Sequence, residues 1–384
     1  MYRLTPEQGQ IVERIGRLAD EQIAPHAARV DREGAFVRDQ IAALGRHGFL
    51  GLTVPVEFGG MGEGLGTMAA ALDEVAQRCA ATALVYQMHL CGTACYRAAP
   101  DRMAPYLRAA ARGEHLSTLA FSESGSRSHF WAPVSRATAA DGHVRLNARK
   151  SFVTSAGEAD GYVVSTLDAG ATGPTESTIY LVLRGDAGLS VSGAWSGTGM
   201  RGNASAPMTL ADVGVTADRA LSPPGKGLDM MLGIVLPMFQ VGTAAVALGI
   251  AEAAVRATQR HLTSVRLEHL GSALAELPVL RARLAEMRME TDRARAYLVS
   301  VLESLDSPGA SPQLLVLEAK VAATEAAVRV TDLAMRACGG AAFGGAHGLE
   351  RRFRDARAPI VMAPTTDQAY DFIGRALCGL ELFP

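Results

Sequence analysis

The sequence predicts a mainly α-helical chain with a central β domain, in the order helices, β domain, helical bundle, and three observations carry the prediction. Residues 4–112 show helical spacing of apolar side chains: Ile11, Ile15, Leu18 and Ile23 recur at three- to five-residue steps, followed by the Ala-rich run 67–81. From about Ser117 to Pro224 the character changes. The segments VRLN, YVVSTL and TIYLVL are short and rich in β-branched and aromatic residues, and Asp141-Gly142 supplies a hairpin turn. After the SPPGKG linker (222–227), helical patterning returns over roughly 229–262, 278–305, 312–337 and 366–380, broken at Asp306-Ser-Pro-Gly and Cys338-Gly-Gly.

Four long helices with short connections read as an antiparallel bundle. Strand and helix do not alternate, which argues against a doubly wound parallel sheet. At 384 residues the chain is too long for one growing core. The expected domains are 1–115, N-terminal and helical; 116–225, central β; and 226–384, the bundle.

With 37 basic against 39 acidic residues the formal charge is −2, so no sign-biased surface exists for nucleic acid or anionic lipid. The five cysteines (79, 91, 95, 338, 378) form an odd set, and residues 1–24 are a charged amphipathic stretch without an apolar leader core. A reduced, cytoplasmic protein is expected. Residues 230–251 carry no formal charge over about the length of a bilayer span. Pro237 and Gln240 interrupt the run and no basic flank frames it, so it reads as a buried bundle helix and no membrane insertion is expected.

Two short motifs invite readings that their surroundings oppose. Gly197-Thr-Gly-Met-Arg-Gly202 matches G-x-G-x-x-G, but a dinucleotide fold needs a helix after it, and NASAPMTLADVGV reads as turn and strand. His89-Leu-Cys91 with Cys95 lacks a fourth ligand at sensible spacing, so buried core residues are expected rather than a metal site. Neither G-x-S-x-G nor H-E-x-x-H occurs.

Other stretches become specific together. PVEFGGMG (55–62), AFSESGSRS (120–128), SFVTSAGEAD (151–160), GMRGNASAPMTLADVGV (199–215), RLAEM (283–287), CGGAAF (338–343) and RDA (354–356) occur in order along the chain. In that order, and at nearly these distances, they resemble the acyl-CoA dehydrogenases over the whole length. The resemblance implies an α-helical N-terminal domain, a central β-barrel and a C-terminal four-helix bundle, assembled as a tetramer or dimer with FAD at the interfaces.

Carried over residue by residue, the resemblance implies that Phe121, Ser122 and Ser128 meet the flavin's pyrimidine edge, where fixed donors stabilise developing negative charge. Turn residues are the plainer account of these serines. Phe152 takes the place of the family's aromatic flank on the flavin ring, and Thr154 that of the hydroxyl near N5. Gly339 and Gly340, with Arg336 before them, match the glycine pair that approaches a neighbouring subunit's FAD; a helix-terminating pair is the alternative. Arg266 matches the arginine that reaches the partner's FAD, although RLEHLG fits that motif only with an extra residue. Thr365 is expected to cap the last helix and meet the adenine half.

The family's catalytic Glu falls on Ala363, between Met362 and Pro364, and the register continues to Ile373 and Arg375. Ala cannot take a proton. The alternative location of that Glu in some relatives falls on Phe239, beside Gln240, and neither is a carboxylate. Asp367, displaced by roughly 6 Å along a helix axis, is too far for a simple swap and reads first as a first-turn acid favoured by the helix dipole, with catalytic base as the lesser alternative. His129 is a second candidate, and Arg127 a candidate for holding a ligand carboxylate or phosphate, with exposed loop residues as the alternative for both. The expected substrate pocket is Arg127, Phe239, Gln240, Met362 and Ala363. The implied activity is FAD-dependent α,β-dehydrogenation of an acyl thioester, on CoA or an acyl carrier protein, with an electron-acceptor flavoprotein or O2 taking the electrons. A flavin monooxygenase or decarboxylating oxidase is the alternative, since neither requires the missing Glu.

Overall fold

The computed structural model describes residues 2–126, 129–305, 312–345 and 347–382. The N-terminal block comprises helices α1 (Pro6–Leu18), α2 (Ala27–Glu33), α3 (Arg38–Arg46), α4 (Leu65–Arg78), α5 (Ala80–Tyr96) and α6 (Pro100–Ala111). Helix α1 starts where local chemistry dictates. The Thr5 hydroxyl accepts the Gln8 N–H, the Gln8 side chain accepts the Thr5 N–H, and Pro6 occupies a position that needs no donor. Every residue of α5 is buried, His89 included. Its ring bonds Leu50 O at 2.8 Å and the Ser117 N–H at 3.1 Å, and burial lowers its pKa to about 4. His89 is thus a neutral core residue, and no group of three potential metal ligands occurs among the described residues.

The middle block is one seven-stranded sheet: β1 (Ser117–Ala120), β2 (Arg136–Ala140), β3 (His143–Val153), β4 (Gly161–Leu167), β5 (Ser177–Leu183), β6 (Leu189–Val191) and β7 (Ala206–Thr216). The path runs β1-β4-β2-β3-β7-β6, and β5 pairs with β4. The predicted hairpin is present, with Ala140 opposite His143 and Gly142 at φ 71° in the turn. Strands β4 and β5 are buried at every residue except the last, and Leu146, Ala148 and Lys150 of β3 are all buried at alternate positions.

In the third block a short helix α7 (Gly227–Met230) runs through a wider turn into α8 (Leu236–Ser264), followed by the small hairpin β8 (Arg266–Leu267) and β9 (Ser272–Ala273). Then come α9 (Pro278–Leu305), α10 (Pro312–Phe343), α11 (Leu349–Asp355), α12 (Ala358–Val361) and α13 (Thr366–Leu377). The stretch Gly227–Ser264 is long and apolar enough to span a bilayer, but 83% of its most apolar window is buried inside the protein, as expected for a bundle helix. It packs closely on α4: a Cβ on Gly249 would stand 2.4 Å from Asp73 O. Arg295 of α9 crosses the same seam, with nitrogens 3.2 Å from both Asp73 and Glu252.

The G-x-G-x-x-G run is followed by a single 3-10 turn (Arg201–Asn203) and strand β7, so no phosphate-binding helix exists there. Its glycines serve close packing instead. A Cβ on Gly199 would lie 2.5 Å from Arg354 O in α11, and one on Gly202 2.3 Å from Val30 in α2. Arg354 completes this three-way contact, donating to Asp31 of α2 at 2.5 and 2.9 Å and to Thr198 O at 3.0 Å. Next to it, Asp355 accepts the Met200 N–H at 2.6 Å.

Burial raises the Asp355 carboxyl to about 6, from an ordinary 3.8. Between those values the native state holds a proton that the unfolded chain has released. This group's contribution to stability therefore falls as pH rises from about 4 to about 6. Asp355→Asn keeps an acceptor for Met200 and removes the charge. Relative to the unsubstituted protein it is expected to gain about 1–3 kcal/mol between pH 4 and pH 7, read from urea midpoints; a pH-independent difference would contradict the assignment.

Candidate active site

A cavity of about 620 Å³ opens where the three blocks meet. The β domain contributes the loop Phe121–Ser124, Ser151, Phe152 and Thr154, together with Trp195, Asn203 and Ser205. Leu84 and Met88 come from α5, Val235, Leu236, Phe239 and Gln240 from the start of α8, and Ala358, Val361, Met362 and Ala363 from α12 and the turn after it. One side is thus rich in hydroxyl, amide and indole groups, and the other is almost wholly apolar.

The polar side is held by strained backbone and cross-bracing. Phe152 (φ 54°), Ser155 (61°), Met200 (49°) and Ala204 (50°) all occupy the left-handed region. Bulky residues adopt that conformation only where surrounding contacts enforce it. Here the Ser155 N–H donates to Asn203 O at 2.9 Å, the Ala156 N–H to Ala204 O at 3.1 Å, and the Ser151 N–H to Ser122 O at 2.8 Å. The Thr154 and Ser205 hydroxyls lie 3.0 Å apart, and Thr118 donates to Thr154 O at 2.8 Å. Phe152 is 70% exposed at the cavity wall, and the buried Trp195 N–H has no partner among the described residues.

Beneath the Phe121–Ser124 loop lies an ion pair that sequence reasoning missed. Lys150, at an inward position of β3, donates to Glu123 at 2.6 Å and to Ser165 O at 2.5 Å. Glu123 also accepts the Val134 and Ser135 N–H groups at 2.8 and 2.9 Å and the Ser135 hydroxyl. Burial alone would raise the Glu123 pKa, but Lys150 and the Ser135 donors outweigh it and hold the carboxylate ionised. A buried lysine on an inward strand position demands a carboxylate partner. The alternation Leu146, Ala148, Lys150 was the signal that could have revealed it.

Ala363 carries no acid, and its carbonyl accepts the Gln240 amide at 3.3 Å. Behind the same turn, the buried Lys320 of α10 donates to Pro364 O at 3.1 Å and to the Thr366 hydroxyl at 3.2 Å. Burial lowers its pKa to about 8. Of the residues forming the cavity wall, Glu123 is the sole carboxylate among the described residues, and it is fully engaged.

Phe121, Ser122, Phe152, Thr154, Phe239, Gln240, Met362 and Ala363 therefore come together as the sequence suggests. The two candidate bases do not join them. Asp367 is an exposed residue in the first turn of α13, and His129 is exposed, with its ring against Ser126 O at 3.2 Å and edge-on to Trp131. Thr365 caps α13 by accepting the Gln368 N–H at 3.3 Å and is not a wall residue. Arg266 is exposed on the β8–β9 hairpin, where it donates to Gly271 O, and Arg336 pairs with Asp332 at 2.8 Å. Gly339 (φ 56°) and Gly340 are exposed, with nothing within 4 Å of where a Cβ would stand. Arg127 and Ser128 lie outside the described residues.

Exposed aromatic surface at Phe152, an unpartnered indole N–H and a row of hydroxyls suit a planar, hydrogen-bonding ring system. Residues 5–114, 118–213 and 225–378 match the N-terminal, middle and C-terminal domains of acyl-CoA dehydrogenase. Cyclohex-1-ene-1-carbonyl-CoA dehydrogenase of Syntrophus aciditrophicus is 30% identical across 100% of this chain and 92% of its own. Human mitochondrial short-chain specific acyl-CoA dehydrogenase is 27% identical across 94% and 88%. Among solved structures, butyryl-CoA dehydrogenase of Megasphaera elsdenii superposes with a TM-score of 0.90 at 22% identity, covering 98% of this chain and 100% of that one. PigA with FAD and proline superposes equally well, with a TM-score of 0.90 at 19% identity over 98% and 99%. The chain belongs to the acyl-CoA dehydrogenase family, whose members are FAD-dependent oxidoreductases.

The Glu123–Lys150 pair allows a direct test of what holds the polar wall. Lys150→Met strands a buried carboxylate and is expected to cost about 3–5 kcal/mol in chemical denaturation. Adding Glu123→Gln should recover much of that loss; no recovery would mean that the lysine stem, rather than its charge, is what matters.

Proposed function

We propose that this protein oxidises an acyl thioester, on CoA or a carrier protein, by α,β-dehydrogenation without a carboxylate base of its own. Bound FAD supplies the two-electron acceptor for the substrate's hydride. Ser122, Ser151, Thr154 and Trp195 offer donors along one side of the cavity, where negative charge on the acceptor ring is stabilised. Phe152 flanks that ring. Leu84, Met88, Leu236, Phe239 and Met362 keep the acyl end dry. The α-proton cannot go to Ala363 or Phe239, and Glu123 is consumed by its four donors. The observation that carries the reading is this pairing of a donor-rich polar wall with a reacting end where no free acid lies among the described residues.

A substrate whose α-carbon is acidic enough to give its proton to water, or which loses CO2 in place of the α-proton, fits such an end. Electrons would leave to an acceptor flavoprotein or to O2. The five cysteines, all free, suit a reducing compartment such as the cytoplasm. We take the domains as 1–115, 116–225 and 226–384.

Anaerobic addition of the true substrate is expected to bleach the yellow protein. Absence of bleaching, together with labelled oxygen from O2 in the product, would instead assign oxygen transfer. Plain saturated acyl-CoAs should bleach it slowly, and Ala363→Glu should speed this by about 10²-fold, the usual scale for a positioned base. No gain at any chain length would mean that the pocket has been rebuilt around Met362 and Phe239.

The exposed Gly339-Gly340 pair and the 84% exposed Phe343 beside it support an oligomer, a tetramer or dimer, in which a neighbour's FAD covers this surface. Gly340→Asp is then expected to lower FAD retention during gel filtration without unfolding the chain. A colourless monomer that takes up no FAD on reconstitution would overturn the flavin assignment.

A further inference from the structure

We propose that Gln240 reads the substrate, and that the preferred acyl group carries a hydrogen-bond donor, an N–H or O–H, near its reacting carbons. The inference rests on the acyl-oxidation reading and narrows its substrate class. Gln240 is fully buried and forms part of the cavity wall. Its amide nitrogen donates to Ala363 O at 3.3 Å. A backbone carbonyl only accepts, so this contact fixes which end of the amide is nitrogen; the reverse orientation would set two acceptors against each other. The other end, the Gln240 carbonyl oxygen, has no partner among the described residues.

No neighbour on that side of the wall offers one. Leu84, Met88, Val235, Leu236, Phe239 and Met362 present only carbon and sulfur from their side chains. An unpaired buried carbonyl is costly, and a plain alkyl substrate leaves it unpaired. A substrate with an N–H or O–H in reach satisfies it.

Burial of an orphan oxygen is not the whole argument. Gln87 of α5 also has an unpartnered carbonyl oxygen, but it is not part of the wall, and its amide nitrogen donates twice, to Phe239 O and to the Thr243 hydroxyl, both at 2.9 Å. Gln87 stitches α5 to α8. Gln240 combines the orphan oxygen with a place in the wall beside Ala363, at the end where the reacting carbons lie in the proposed function. An amide cannot titrate, so Gln240 orients and selects and does not act as the base.

The test uses the FAD-loaded protein and three acyl-CoAs of one chain length: butyryl-CoA, 3-hydroxybutyryl-CoA and 4-aminobutyryl-CoA. Affinity is read from perturbation of the flavin absorption spectrum, which does not require turnover. At least one donor-bearing ligand is expected to bind about tenfold or more tightly than butyryl-CoA, since sites built to hydrogen-bond a substrate discriminate strongly against analogues lacking the group. Gln240→Leu should abolish that preference, with FAD content and thermal melting unchanged. Equal affinities for all three ligands, or a preference that survives Gln240→Leu, would overturn the proposal while leaving acyl-thioester binding intact. If the leucine variant fails to fold, the ligand comparison on the unsubstituted protein decides, and Gln240→Met supplies the variant. Failure of all three acyl groups to perturb the spectrum, whether offered on CoA or loaded on an acyl carrier protein, would sink the acyl-oxidation reading itself.

Discussion

The cavity depends on a contact between backbones. At Gly199 and Gly202 the chain between the sheet and its last strand passes so close to α11 and α2 that no side chain fits. That approach sets the distance between all three blocks, because each block supplies part of the cavity wall. Its influence runs a short way: Gly202 leads to Asn203, whose carbonyl holds the Ser155 N–H, and Ser155 adjoins Thr154 in the wall. Arg354 and Asp355 close the junction by bonding Asp31, Thr198 and Met200. The left-handed backbone at Met200 and Ala204 is local strain that this packing sustains.

Buried charge is handled in three distinct ways around this frame. Glu123 and Lys150 neutralise each other and leave no donor or acceptor free, so the pair gives rigidity to the flavin-side loop and no acid-base function. Arg295 instead lies between two carboxylates from different helices and ties α4 to the bundle. Lys320 has no salt-bridge carboxylate among the described residues; it serves a backbone carbonyl and a hydroxyl, and burial moves its pKa down accordingly. Lys320 fastens the turn that carries Ala363, so the reacting end is held from behind by a cation and presents no acid in front.

Much of the architecture was legible because periodicity and turn chemistry act locally. The order of blocks, the Asp141-Gly142 hairpin, the Thr365 cap and the buried nature of the uncharged helix follow from residues close in sequence. The rejection of a dinucleotide site at Gly197–Gly202 worked for the same reason, since the following strand was visible. What those glycines do instead was not legible, because their neighbours, Val30 and Arg354, lie far away along the chain. For the two candidate bases, direction was what the sequence did not give. Asp367 has a plausible spacing from Ala363, yet the first turn of α13 leaves it in solvent. Gly339, Gly340 and Arg266 stand outside the cavity formed by one chain, where a single sequence gives no geometry.

Helix α8 has a consequence for how the protein is made. Its apolar faces are covered by α4 and α5 on one side and α10 on another, and at Gly249 it touches the backbone of α4 directly. Synthesis is vectorial, so α4 and α5 leave the ribosome long before the helix that seals them exists. The N-terminal segment therefore spends translation of the entire β domain with an uncovered greasy face, and α8 itself emerges before α10 can shield it. Order of burial runs against order of synthesis.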